Sequence, residues 1–329
     1  MVTLKQIAQQ AGVSIRSVSV VLNGKAVESR ISSEMTQRIQ RIARELDYRP
    51  NAMARAIRLK KSFQIGVLVR ELANPYTGAV IEAMESCLLA HGYKLLLGLT
   101  DHSPEVARAY LSEFSQGVVD GILNLDPVLG DEVFVECKVT RPYIHYMRPS
   151  PGYTLRLDYR RGMELGLSHL WKLGHRHIGF ISGPPSEADT DERLQSYMAF
   201  FEERQLPPAA IEHGAWTFES GYAAAQPLVE RGCTAIFAAN DLMAVGAAKA
   251  ILARKLTIPG DLSVVGFDDS ILARMMAPSL TSVHVPTEKL ATQSVEALIA
   301  LIAGKRLRQP ASVKPTLALR ESTGPSQAA

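Results

Sequence analysis

Residues 3–23 read TLKQIAQQAGVSIRSVSVVLN, and this stretch decides how the chain begins. Thr3 and Gln6 have the spacing of a capping box, in which a hydroxyl and an amide close the first turn of a helix. Leu4, Ile7, Ala8 and Ala11 then fall on one face of that helix. Gly12 supplies the stop, since glycine enters left-handed backbone without steric cost. Ser14 is placed to cap a second helix that runs to about Leu22. Helix, tight turn and capped helix together predict a helix-turn-helix. A third helix is expected after Ser32 and Ser33, with Met35, Ile39, Ile42, Ala43 and Leu46 on one face and Arg38, Arg41 and Arg44 on the other.

In the second helix Val18, Val21 and Leu22 are expected to face the shared core. Ile15, Arg16, Ser19 and Val20 are left pointing outward. Such a helix enters a DNA major groove by its N-terminal end. Arg16 can then fork onto guanine O6 and N7, and Ile15 and Val20 can touch thymine methyl groups. Ser14, Ser17 and Ser19 carry short hydroxyls suited to phosphate oxygens. The charge agrees with this. Residues 1–61 hold twelve Lys/Arg against four acids, a net of +8, which leaves −5 for the rest of a chain whose total is +3. A basic head on a mildly acidic body suggests that a polyanion is bound by the head alone.

Tyr48 to Arg58, YRPNAMARAIR, opens with Pro50 and Asn51, a helix start, yet has room for only two turns. A helix that short does not stand alone in water and needs a partner: its own copy, DNA, or both. Beyond it, runs rich in β-branched residues alternate with helical patterns. The expected strands are 64–69, 94–99, 121–125, 177–181, 235–238, 263–267 and 313–319. The expected helices are 77–91, 104–116, 159–173, 191–204, 219–231, 241–254 and 287–303. Repeated βα units mean parallel sheets covered by helices on both faces. Two series of them mean two lobes with a cleft at the strand C-terminal ends.

Other classes find little support. The three cysteines, Cys87, Cys137 and Cys233, form no C-x-x-C pair, so neither a disulfide framework nor a zinc site is expected. His175 and His177 lack a third ligand nearby and read as loop polarity, not as a metal site. There is no apolar leader and no membrane-length apolar run, so a cytoplasmic protein without membrane contact is expected. No nucleotide-binding glycine loop or local catalytic set appears, so no cofactor and no enzyme activity are expected.

The segments TLKQIAQQAGVSIRSVSVVLN, LDYRPNAMARAI, IGVLV, NPY, VDGIL, LGHRHIGFISGP, FAANDLMAVGA, IPGDLSVVGFDD and PSLTSVHVP occur in this order. In them the chain resembles the LacI/GalR family of bacterial transcriptional repressors, from Thr3 to about Arg320. The resemblance implies an all-α helix-turn-helix head and hinge helix joined to an α/β core. That core has two Rossmann-like lobes with parallel sheets, as in periplasmic binding proteins. It implies a head at 1–47, a hinge helix and linker at 48–61, one lobe at 62–160 plus 291–320, the other at 161–290, and a flexible tail at 321–329.

It also implies a homodimer on a pseudo-palindromic double-stranded operator, gated by a small-molecule effector, with Ile15, Arg16 and Val20 as principal base readers. Thr3, Ser14, Ser17, Ser19, Asn23, Arg30, Asn51, Ala54, Arg55, Ile57 and Arg58 complete the implied DNA contacts. Ile57 stands where many members wedge a Leu between base pairs, and Val20 where many carry Arg or His. No relative's operator can therefore be borrowed. Implied effector contacts are Tyr76, Asp158, Asp189, Arg193, Trp216, Asn240, Asp241 and Asp268. Such a set suits a carbohydrate, since acids and amides meet hydroxyls and aromatic faces cover ring C–H groups. With Arg193 the one cation among them, a neutral sugar is favoured and a purine is the alternative. A transport sugar-binding protein would share the lobes but lack the basic head.

Overall fold

The computed structural model describes residues 2–22, 31–48, 59, 61–150, 152–184, 186, 188–208 and 210–327, and only the backbone within 188–191. Asn23, Arg30, Asn51, Ala54, Arg55, Ile57 and Arg58, and with them the expected hinge helix, lie outside the described residues. The chain divides into two compact units, residues 1–61 and 62–329.

The first unit holds α1 (Leu4–Ala11), α2 (Ile15–Leu22) and α3 (Ser33–Glu45). The Thr3 amide donates to Gln6 Oε1 at 2.8 Å and the Gln6 amide to Thr3 Oγ1 at 3.4 Å, which is the capping box read from the sequence. Gly12 takes φ 68° and ends α1. Ser14 Oγ accepts from the Ser17 amide at 3.1 Å, so α2 starts where a serine can close it. Ile7, Ala8, Ala11, Val18, Val21, Ile39, Ile42 and Ala43 form the core. Leu22, Met35 and Leu46 pack at its margin, half-buried.

The second unit contains two sheets. The first is built from β1 (Gln64–Val69), β2 (Lys94–Leu99), β3 (Gly121–Asn124) and β4 (Tyr143–His145), ordered β2-β1-β3-β4 and all parallel. Between these strands run α4 (Pro75–Ala90), α5 (Pro104–Glu113) and α6 (Asp131–Glu136). A two-stranded ribbon, β5 (Pro149–Ser150) and β6 (Tyr153–Thr154), follows. The helix expected through Gln116 gives way at Phe114 to a wider turn, because Gly117 adopts φ 99°.

The second sheet comprises β7 (Ile178–Ser182), β8 (Ala210–His213), β9 (Ala235–Ala238), β10 (Ser263–Asp268), β11 (Thr281–His284) and β12 (Thr316–Ala318). Its order is β12-β11-β10-β9-β7-β8, and only β12 is antiparallel to its neighbour. Its helices are α7 (Tyr159–Lys172), α8 (Ala188–Glu202), α9 (Phe218–Glu230), α10 (Asp241–Ala253) and the short α11 (Ile271–Met275). Helices α9 and α10 meet backbone to backbone: a Cβ at Gly246 would lie 2.1 Å from the Phe218 carbonyl oxygen. The last helix, α12 (Thr287–Ile302), returns to pack on α4, β3 and β4 of the first lobe.

Two expectations change at the C-terminal end. The strand near 320 was assigned to the first lobe, but β12 pairs with β11 at the edge of the second sheet. Residues 321–326 are not a free tail. Ser322 is fully buried, its Oγ donates to the Val264 carbonyl at 2.6 Å, and it accepts from the Thr281 amide at 2.8 Å. His175 Nε2 meets the Gly324 carbonyl at 3.0 Å, and the Ser326 amide donates to the Leu173 carbonyl at 2.8 Å. The physical reason is local: buried polar groups on β10 and β11 need partners, and the terminal segment provides them.

Candidate functional site

Two surfaces carry the expected chemistry. On the first unit, Thr3, Ser14, Ile15 and Arg16 are exposed, and Ser17, Ser19 and Val20 are half-buried. Ile15 leaves 48% of its surface in water, beside Arg16 at the N-terminal end of α2. An exposed β-branched side chain next to a guanidinium does nothing for the core, which Val18 and Val21 already fill. It suits a groove that offers both methyl groups and acceptors.

In the second unit, the C-terminal ends of β1, β3 and β10 open onto a cavity of about 130 Å³. Five of the expected effector residues line it: Tyr76, Arg193, Trp216, Asn240 and Asp268. Each is set by its local chain. Asn74 Oδ1 accepts from the Tyr76 amide at 3.0 Å and so caps α4, presenting Tyr76 in its first turn. The Tyr76 hydroxyl lies 3.0 Å from that of Tyr146. Burial pushes the Tyr76 phenol well above its usual range, with Tyr146 and Asp268 adding to the effect, so it serves as a neutral hydroxyl. Asn240 caps α10 by accepting from the Met243 amide at 2.8 Å, and its Nδ2 donates to the Trp216 carbonyl at 3.2 Å. That bond steadies a tryptophan whose backbone is left-handed, φ 64°.

Arg193 is 7% exposed. Its guanidinium lies 4.5 Å from the Tyr159 ring centre, 4.7 Å from Phe267 and 5.3 Å from Trp216. Aromatic faces hold a cation well when water is excluded. Asp268 ends β10 with φ 109° and is buried. Burial raises its carboxyl well above the ordinary range, the neighbouring Asp241 raises it further, and Arg193 opposes both.

Three expected contacts do not join this set. Asp158 accepts from the Arg161 amide at 3.0 Å and caps α7, away from the cavity lining. Asp241 turns inward beneath the floor: it accepts from Ser282 Oγ and from the Ser270 amide, each at 2.6 Å. The Asp189 side chain lies outside the described residues. Arg70, Tyr146, Met147 and Tyr159 line the cavity without having been singled out. A signal existed for Arg70, which directly follows β1 at the strand end where doubly wound folds bind ligands. Its presence changes one conclusion, because Arg193 is not the sole cation of the wall.

His175 hydrogen-bonds Thr234, Ser263 and Gly324, and His177 the Gly232 carbonyl, so both are structural. Among the described residues no group of histidines, cysteines and acids is arranged for a metal ion. No described helix is long and apolar enough to cross a membrane.

Residues 3–51 match the family described as bacterial regulatory proteins, lacI family, and residues 167–323 match the periplasmic binding protein-like domain. The chain is 32% identical to the HTH-type transcriptional repressor PurR of Edwardsiella ictaluri, over 98% of this chain and 97% of that protein. It is 32% identical to the ribose operon repressor of Haemophilus influenzae, over 98% of each. Its structure resembles the lac repressor dimer solved bound to operator and the anti-inducer ONPF, with a TM-score of 0.87 and 27% identity over 98% of this chain and 99% of that one.

Proposed function

The chain belongs to the LacI family of bacterial transcriptional regulators, and from that premise we propose that it is a repressor whose operator affinity is set by a carbohydrate-like effector in the cavity of the second unit. One observation carries this reading: a basic head exposes Ile15 and Arg16 on a capped helix, and the body buries Arg193, Asp268, Asn240 and Trp216 around one cavity. Two copies act together on a pseudo-palindromic duplex, one half-site per head. Ile15, Arg16 and Val20 read bases, while Thr3, Ser14, Ser17 and Ser19 hold the phosphate backbone. The masked positions Asn23, Arg30, Asn51, Ala54, Arg55, Ile57 and Arg58 extend that contact by family resemblance. The protein works in the cytoplasm as a binding protein and not as an enzyme, as its regulatory relatives suggest.

Gating follows from linkage. An effector that prefers one angle between the lobes changes the spacing of the paired segments that reach the DNA. A coupling of about 1–3 kcal/mol changes operator affinity about 5–150-fold. The test is selection of binding sites from random duplexes by the full chain, followed by titration of the winner. A two-fold related sequence should emerge, and Arg16→Ala should cost about 1–3 kcal/mol and relax preference at one base pair per half-site. If no sequence is enriched over bulk DNA, the regulator assignment falls.

A further inference from the structure

We propose, resting on the effector reading of this cavity, that its ligand carries an oxyanion, a carboxylate or a phosphate, beside its hydroxyl groups, and that Arg70 and Arg193 receive it. The two arginines come from different lobes: Arg70 follows β1 of the first sheet, and Arg193 lies in α8 of the second lobe. Both help to wall a cavity of only about 130 Å³. A guanidinium is planar, always charged, and forked in a way that matches the paired oxygens of a carboxylate or phosphate. The broad faces of Arg193 are taken by Tyr159, Phe267 and Trp216. Its polar edge is therefore the part suited to meet a ligand, since N–H groups lie in the plane of the group.

The two acids on the wall do not offset this equally. Glu71 has a carboxylate oxygen 3.5 Å from His102 Nε2, a histidine with 59% of its side chain exposed. Asp268 is buried, and that burial together with Asp241 opposes its ionisation. A neutral sugar would meet the two guanidinium groups with hydroxyl oxygens alone. An oxyanion gives them charge-assisted bonds in a place from which water is largely excluded. The remaining donors and acceptors, Asn240, Tyr76 and Tyr146, and the Trp216 face suit the hydroxylated part of the same molecule.

The chain has two tryptophans, and only Trp216 lines the cavity. The Trp171→Phe protein thus reports from the site alone. Trp216 emission is followed at constant ionic strength while glucose, gluconate, glucuronate, glucose 6-phosphate, acetate and orthophosphate are each titrated against chloride. At least one oxyanion should bind saturably, and an acid or phosphate should bind about ten- to a hundredfold tighter than the neutral sugar. Arg70→Gln should remove most of that difference, and Arg70→Lys, which keeps charge without the fork, should restore part of it. An unchanged thermal unfolding midpoint certifies each variant as folded. Acetate, phosphate and the sugar acids behaving like chloride would overturn the proposal. So would a neutral sugar binding as tightly as its acid, or oxyanion affinity that ignores both Arg70 variants. Operator titration runs in parallel. An oxyanion that binds without moving operator affinity upholds the ligand class and removes the effector reading, and a neutral ligand that moves it does the reverse.

Discussion

Asp241→Asn should flatten the pH dependence of the second unit's stability. Asp241 is 1% exposed, and burial pushes its carboxyl from the ordinary 3.8 up to about 6, against the pull of Ser282 and Ser270. A folded pKa above the unfolded one means that the native state holds the proton more tightly. This contribution is complete below about pH 4, lost as pH rises through about 6, and constant above about 7. At about 1.4 kcal/mol per pH unit, ionising the buried acid costs the fold about 3 kcal/mol. Asparagine removes that cost and keeps much of the bonding: its carbonyl can accept from the Ser270 amide, and its NH₂ can donate to Ser282 Oγ once that hydroxyl turns. The turn and the lost charge-assisted bond should cost about 1 kcal/mol at acid pH. Denaturant unfolding of both proteins from about pH 4 to 8, read by fluorescence of Trp171 and Trp216 in the second unit, gives the two curves. Burial holds His145, His169 and His175 below their ordinary pKa, which favours the fold as pH rises, but this contribution is common to both proteins and drops out of the difference. Wild type should lose about 3 kcal/mol relative to the variant across that range. Parallel curves, or a steeper variant, would refute the assignment of Asp241 as a buried acid beneath the cavity.

Gly246→Ala should destabilise the second unit by at least about 2 kcal/mol, because the new Cβ meets backbone, 2.1 Å from the Phe218 oxygen and 2.7 Å from the Tyr222 nitrogen. Equilibrium denaturation measures it, and an unchanged midpoint would contradict the close contact of α9 and α10. Ending the chain after Arg320 removes Ser322 and Gly324 from β10, β11 and His175. Each buried group left without a partner costs about 1–3 kcal/mol, so the unfolding midpoint should drop sharply, where loss of a free tail would leave it in place.

The lobes were legible because their central strands are continuous apolar runs with β-branched residues, and the helices between them close on readable signals. Asn74-Pro75, Ser103-Pro104 and Thr217 start helices as their side chains predict. What escaped were short or polar elements. Strand β4 has three residues, and α11 has five, too few to show a period. Strand β11, Thr281–His284, reads as a polar loop, yet Thr281 and Ser282 are fully buried. Their partners are Ser322, Thr323 and Asp241, about forty residues distant in sequence, so nothing local announces them.

The same remoteness explains which site residues could be foreseen. Asp241 and Asp268 both look like acids at the end of a β-strand, and only one reaches the cavity. The difference arises beyond local sequence. Asn240 takes the cap of α10, which leaves Asp241 facing Ser282 and the Ser270 amide. Asp268 and Asp269 both sit in left-handed backbone, φ 109° and 57°, a conformation that costs on the order of 1–3 kcal/mol per residue. Asp269 is held there from outside. Arg320 donates to one of its carboxylate oxygens at 2.5 Å, His284 meets the other at 3.0 Å, and its amide donates to Ser282 Oγ at 3.1 Å. Trp216, also left-handed, is held by Asn240. Two of the ligand-facing side chains thus point inward because residues far along the chain fix a strained turn. Residue type gave the chemistry of the cavity, and tertiary hydrogen bonds gave its aim.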